Sequence, residues 1–232
     1  MSRRRRSDPE VERPLHRVPA ASRRGNRVFY VAVEGGSTEP DYLGFLNREL
    51  GSELRFLIHP LYRSNGMTPT RVVARALEQR DEIRHGSGLV QLWAIFDRDQ
   101  HHDILQAMRD AEAGGVTVAF SHPSFELWLL LHFSDFSGQQ GGSSRVIHGK
   151  LRGQAGFETF GARNDKSLHG LRVLAINGKQ EAAVKRAKRL VEDCSTGECS
   201  ASKGHAAHCD PLRRDPSTDM WRLLVELGIV SV

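Results

Sequence analysis

Two stretches decide the fold of this chain: VFYVAVEGG at residues 28–36 and LVQLWAIFDRD at residues 89–99. Each opens as an apolar run with the length and the aromatic and β-branched content of a buried strand. Each then delivers acid where such a strand meets solvent, as Glu34-Gly35-Gly36 in the first and Asp97-Arg98-Asp99 in the second. In a parallel sheet those strand ends lie side by side, at the edge where ligand sites form. Three carboxylates gathered there repel one another unless a cation joins them. A hard divalent ion with oxygen ligands suits them, Mg²⁺ or Mn²⁺.

Working outward from these runs, strands are expected over residues 27–33, 54–61, 89–96 and 116–121. Helices are expected between them. The first is capped by Thr38, carries Pro40 in its first turn and is closed by Gly51. The second runs from Pro69 to about Arg84 and the third over residues 102–113. Strands alternating with helices imply βαβ units and a mostly parallel four-stranded α/β sheet flanked by helices. The segment SFELWLLLHF, residues 124–133, reads as a helix whose Phe125, Trp128, Leu129 and His132 share a core face. Residues 134–144 read as a loop, with helices near residues 145–151 and 179–192. The chain is read to end in a helix that starts at Asp215-Pro216-Ser217-Thr218. Three parts follow: an Arg-rich tail at residues 1–26, an α/β core at 27–133, and a mainly helical part at 134–232 belonging to the same domain.

The 232 residues suit one sizeable domain. No apolar stretch approaches the roughly 18 residues of a membrane span, and no apolar region follows the basic Arg3–Arg6 run as in a secretory signal. A soluble, cytoplasmic protein is the expectation. The net charge of +5 is unevenly spread: residues 1–27 hold nine Arg against Asp8, Glu10 and Glu12, and the rest of the chain is near neutral. With Pro9, Pro14 and Pro19 and no periodicity, the tail reads as disordered. Its Arg3, Arg4, Arg5, Arg6, Arg23 and Arg24 would attract phosphate backbones without reading sequence; a merely solubilising tail is the alternative.

Further candidates for chemistry follow the acid set. Glu34 would be a third metal ligand or a general base, whereas the Asp97/Asp99 pair taken alone could simply cap the next helix. Glu126, a further catalytic candidate, is an acid inside an apolar segment: it joins the metal ligands or holds a basic partner, unless it is a solvent-facing acid at the helix start, where it suits the dipole. Ser121 and His122 point toward the same edge as phosphate contacts. The basic residues Lys185, Arg186, Lys188 and Arg189 could track a phosphate backbone or form a solvated face. The three cysteines are too few for a disulfide framework. Any four of Cys194, Cys199, His205, His208 and Cys209 could bind Zn²⁺ tetrahedrally. Structural zinc at Cys194, Cys199, His205 and Cys209 is set against a loose insert, which the unfamiliar spacing and the Ser, Ala and Gly content favour.

VAVEGGSTEPDYLGFL, WAIFDRD, SHPSFELWLLLHF and DPSTDMWRLL occur in this order over roughly residues 28–228. Together they resemble the RloB-like family, which includes the abortive-infection protein AbiLii. Through its Glu-Gly and Asp-x-Asp motifs the family is similar to TOPRIM domains of topoisomerases, primases and phage-defence nucleases. The resemblance implies a TOPRIM-like fold, a Mg²⁺ site and metal-dependent cleavage of nucleic-acid phosphodiesters, RNA or DNA, in bacterial antiviral defence. It implies that Glu34, Asp97 and Asp99 are catalytic, the two aspartates holding the metal and Glu34 acting as general base or further ligand. It also implies that Lys166, in GARNDKSL, is the lysine the family pattern places after the long loop, a catalytic ammonium that would neutralise charge on a cleaved phosphate unless it is an exposed surface lysine. Family members are often encoded beside an ATPase, which implies such a partner; no GxxxxGK[ST] loop is present here. The competing expectation is a non-catalytic nucleic-acid-binding or partner-binding adaptor on the same scaffold. A further one is a different phosphoryl enzyme.

Overall fold

The computed structural model describes residues 27–83, 89–99, 101–195 and 197–231. The proposed nucleic-acid arm, Arg3 to Arg6 with Arg23 and Arg24, lies outside the described residues.

Five strands form one sheet: β1 (Arg27–Val33), β2 (Phe56–Leu61), β3 (Val90–Asp97), β4 (Thr117–His122) and β5 (Ser217–Thr218), in the order β2-β1-β3-β4-β5. The first four are parallel. Their crossovers are α1 (Thr38–Leu46), α2 (Pro69–Glu82) and α3 (Ile104–Gly114). The fifth strand corrects the four-stranded expectation. Ser217–Thr218 does not begin the last helix but pairs antiparallel with β4, Ser121 opposite Thr218. Two polar residues carry no strand signal of their own; the hydroxyls of Ser121 and Thr218, 2.9 Å apart and buried, hold the pairing.

Both sheet faces are covered, which explains why β1 and β3 read as unbroken apolar runs rather than alternating ones. Side chains alternate across the sheet. Phe29, Val31, Val33, Trp93 and Ile95 enter the larger core with Tyr42, Phe45 and Trp128. Ala32, Ala94 and Phe96 enter the smaller one with Val72, Val73 and Ala107 of α2 and α3. The larger core also takes residues from α4 (Glu126–Leu131), α5 (Arg145–Arg152), α6 (Leu171–Ile176), α7 (Gln180–Glu192) and α8 (Met220–Glu226). Each fully buried Leu or Phe contributes about 1.5–3 kcal/mol, so the two cores anchor the strand ends firmly. Every residue of α4 is buried, as expected of a helix that is apolar all round.

The local signals act with some differences from expectation. Pro69 opens α2, and α3 stops at Gly115, whose φ of 68° is the left-handed stop favoured by glycine. Thr38 does not cap α1: its hydroxyl donates to the Lys166 carbonyl at 2.8 Å. Past Leu46 the chain continues in a wide turn, Asn47–Gly51. There the Asn47 side chain bonds both the N–H and the carbonyl of Ile58, tying the turn to β2. Among the described residues no helix is long and apolar enough to cross a membrane.

Candidate functional site

A cleft of about 660 Å³ opens at the carboxyl ends of β1 and β3. Its walls include Glu34, Asp97, Asp99, Glu126 and Lys166. All five residues expected to be catalytic therefore line one cleft, although they come from four separate stretches of chain.

Glu34 follows β1 directly and Asp97 is the last residue of β3. One Glu34 oxygen (Oε2) accepts the backbone N–H of Asp97 at 3.0 Å. The other (Oε1) is 2.7 Å from His101 Nε2. Burial raises the Glu34 pKa, and the charge of Asp99 adds to the rise. Asp97 accepts the N–H of Phe125 at 2.9 Å through Oδ2. Its Oδ1 is buried and makes no hydrogen bond among the described residues. Burial, then the charges of Glu34, Glu39 and Glu126, push the Asp97 pKa well above the usual carboxylate range. Asp99 lines the cleft with φ at 25°, a backbone state uncommon for a residue other than glycine. Arg98 between the two acids lines a neighbouring depression with His122 and Asp215.

Sequence reasoning missed Glu39. In sequence it looks like an ordinary first-turn acid of α1, yet it is buried beside the Glu-Gly-Gly turn and accepts the Gly35 N–H at 3.2 Å. Burial, followed by the charges of Glu126 and Glu34, raises its pKa to about 7. The glycines make this packing feasible. A Cβ on Gly35 would stand 2.3 Å from Glu39 Oε2, and one on Gly36 would stand 2.8 Å from the Ser64 carbonyl.

Glu126 behaves differently. Although nearly fully buried, its carboxylate is held well below its ordinary pKa, because burial is outweighed by His148 and Lys166. Lys166 Nζ donates to its Oε1 at 2.8 Å, and His148 Nε2 lies 3.2 Å from the same oxygen. Burial works against the Lys166 charge, but Glu126, then Glu39 and Asp97, raise its pKa on balance. The basic-partner reading of Glu126 is the one the geometry supports. The loop carrying Lys166 is tied to the start of α1: Asp41 accepts the Leu168 N–H at 2.8 Å, and Thr38 holds the Lys166 carbonyl. Arg63 and Arg71 also line the cleft. They come from the loop after β2 and from α2, where no motif marks them.

Other candidates lie elsewhere. Ser121 is spent on Thr218, and His122 Nε2 lies 3.7 Å from Asp215. Neither lines the cleft. Arg186 donates to the Leu131 carbonyl at 2.7 Å, Arg189 lies 3.2 Å from Asp135, and Lys188 sits over the Trp221 ring. Arg186 and Lys188 are partly buried in these contacts, whereas Lys185 and Arg189 are exposed.

The donors fit a hard cation. They are all oxygen; Glu34, Asp97 and Glu39 are held together at raised pKa; and Asp97 Oδ1 is buried without a partner. Among the described residues only the Cys/His set brings every ligand atom within 4.8 Å. The acids form an open arrangement instead, which suits an ion that keeps some waters and shares its shell with phosphate.

No curated protein matches the chain. No solved structure matches it either. A family model described as RloB-like protein matches residues 29–227, most of the chain. The chain belongs to the RloB-like family.

Proposed function

We propose that this protein is a divalent-metal-dependent nuclease of TOPRIM type that hydrolyses nucleic-acid phosphodiesters in bacterial defence against phage. The observation that carries the reading is Asp97. Its carboxylate is buried among other acids with one oxygen unpartnered, at the edge where strand ends present ligand sites. An arrangement so costly without a counter-ion is expected at a working site rather than in a passive scaffold.

Asp97 and Asp99 would hold Mg²⁺ or Mn²⁺, which would supply a more acidic bound water and neutralise charge on the transferring phosphate. Glu34 accepts a proton from the attacking water, and His101, 2.7 Å from Glu34 Oε1, relays it toward solvent. As the water oxygen bonds to phosphorus, the bond to the leaving oxygen breaks. Lys166 offsets the charge that develops there and donates a proton to the leaving oxygen. Glu126 keeps that ammonium charged and aimed into the cleft, and His148 supports Glu126. Arg63 and Arg71 take flanking phosphates as the planar partners they suit. A separately encoded ATPase that gates the nuclease is part of the same proposal, resting on the family.

The test is a cleavage assay with Mg²⁺ or Mn²⁺ on tRNA, single-stranded and duplex substrates. Wild type is expected to cut at least one class, and folded Glu34→Ala and Asp97→Ala variants to cut none. A wild type that binds these substrates but never cuts, even with its ATPase partner, would favour the adaptor.

A further inference from the structure

A second cluster lies apart from the acidic cleft, in the connection between α7 and β5. Cys194 lies two residues beyond α7, and Cys209 sits two residues before the short turn Pro211–Arg213. Cys199 and His205 lie between them, around a tight turn closed by the Ser200–Gly204 bridge. The ligand atoms of all four residues lie within 4.8 Å of one another. Cys194 Sγ to Cys209 Sγ is 3.6 Å, His205 Nδ1 to Cys199 Sγ is 3.3 Å, and His205 Nδ1 to Cys209 Sγ is 3.8 Å.

A disulfide would bring two sulfurs to about 2.05 Å. A tetrahedral Zn²⁺ with Zn–S of about 2.3 Å and Zn–N of about 2.0 Å has S···S edges of about 3.8 Å and N···S edges of about 3.5 Å. The three separations above lie close to those edges, and the remaining ones stay within 4.8 Å. Its surroundings suit thiolates as well. The Ala206 N–H points at Cys199 Sγ, 3.4 Å away. Arg214, which donates to the Cys209 carbonyl at 2.7 Å, brings positive charge to a centre that would carry one net negative charge.

We propose that Cys194, Cys199, His205 and Cys209 form a structural Zn²⁺ site that clamps the end of α7 to the segment leading into β5. Four protein ligands leave no open position, as in zinc sites that support folds rather than catalysis. The clamp explains how a loop rich in Ser, Ala and Gly is held in place. It also explains how the two-residue strand β5 is presented to β4: Asp215, just beyond the clamp, receives the Gln140 and Gly141 N–H groups at 2.8 and 2.7 Å.

The test is metal analysis of the full chain, purified under reducing conditions from zinc-supplemented cells, with cobalt substitution of the same protein. One zinc per chain is expected, retained through dialysis against excess Mg²⁺ and in Asp97→Asn, and lost in the Cys199→Ser/Cys209→Ser variant. Cobalt should give thiolate-to-metal charge-transfer absorption and the intense d–d bands of a tetrahedral site. This wild-type reading stands even if the cysteine variant does not fold. Zinc far below one per chain, a cobalt spectrum without thiolate bands, or a native Cys194–Cys209 disulfide would each overturn the proposal.

Discussion

Glu34 Oε2 accepts the backbone N–H of Asp97 at 3.0 Å, so the acid that ends β1 is bonded to the acid that ends β3. The bond fixes two neighbouring strand ends at once and holds two carboxylates close despite their repulsion. Burial raises the pKa of each. A fold that maintains this arrangement stores electrostatic strain that a cation or a proton relieves.

Asp97→Asn is therefore expected to separate stability from activity. It keeps the shape, removes one buried charge and retains an acceptor for the Phe125 N–H. The melting temperature without divalent ions should rise, and the stabilisation that Mg²⁺ gives wild type should disappear. Cleavage should fall by about 10²-fold or more, the scale of a lost acid–base or charge-stabilising group. Thermal melts with and without Mg²⁺, beside single-turnover cleavage, measure both.

Lys166 and Glu126 form a pair whose two roles can be pulled apart. Lys166→Met leaves the buried Glu126 carboxylate with His148 alone. Lys166 is partly exposed, so the cost should be about 1–3 kcal/mol, below the ~3–5 kcal/mol of a fully buried broken pair. Adding Glu126→Gln should restore most of the stability but none of the cleavage. Chemical denaturation of both variants checks the first statement, and activity checks the second.

The glycines of the Glu-Gly-Gly turn predict different outcomes for the same substitution. On Gly36 a Cβ meets the Ser64 carbonyl at 2.8 Å and the Arg63 carbonyl at 3.1 Å, both backbone. Gly36→Ala should destabilise by about 1–3 kcal/mol, the range of overpacking. The three atoms nearest a Cβ on Gly35 all belong to the Glu39 carboxylate, the far end of a flexible side chain. Gly35→Ala should fold nearly normally yet weaken divalent-ion binding. Melts and metal titrations distinguish the two.

His132 supplies a pH dependence of stability away from the cleft. It is buried, its Nδ1 is 3.0 Å from the Trp128 carbonyl, and burial with nearby Lys179 and Arg186 lowers its pKa to about 4. The unfolded chain takes up this proton near pH 6.5, before the folded chain does. The stabilisation is thus complete above the unfolded pKa and is lost as pH falls from about 6.5 to 4, amounting to about 3 kcal/mol. His132→Leu should flatten that part of the stability curve, read by denaturant unfolding between pH 7 and pH 4.5.

The sequence made β1 and β3 legible because burial on both faces writes itself as unbroken apolar composition, while the half-exposed edge strand β2 and the shorter β4 were legible from their place between helical segments. β5 was not legible, since Ser217 and Thr218 acquire their strand state only by pairing with β4. The six-residue α6 was likewise invisible between Gly170 and Asn177. In the cleft, Glu34, Asp97 and Asp99 announced themselves by position after strands. Glu39 did not, because its burial depends on how closely the Gly35 backbone approaches it. His101 and His148 depend on contacts 67 residues away and across helices, respectively, which spacing cannot reveal. On α7 the Arg186 guanidinium is committed to the Leu131 carbonyl, while Lys185 and Arg189 stay exposed, a division that the charge run itself does not show.

The most direct test of the central claim, that the acidic strand edge is built around a hard divalent cation, is calorimetric titration of Mn²⁺ into the wild-type chain and into Asp97→Asn. The account predicts saturable Mn²⁺ binding to wild type that is abolished in the folded variant. Equal binding by both proteins, or none by wild type, would contradict it.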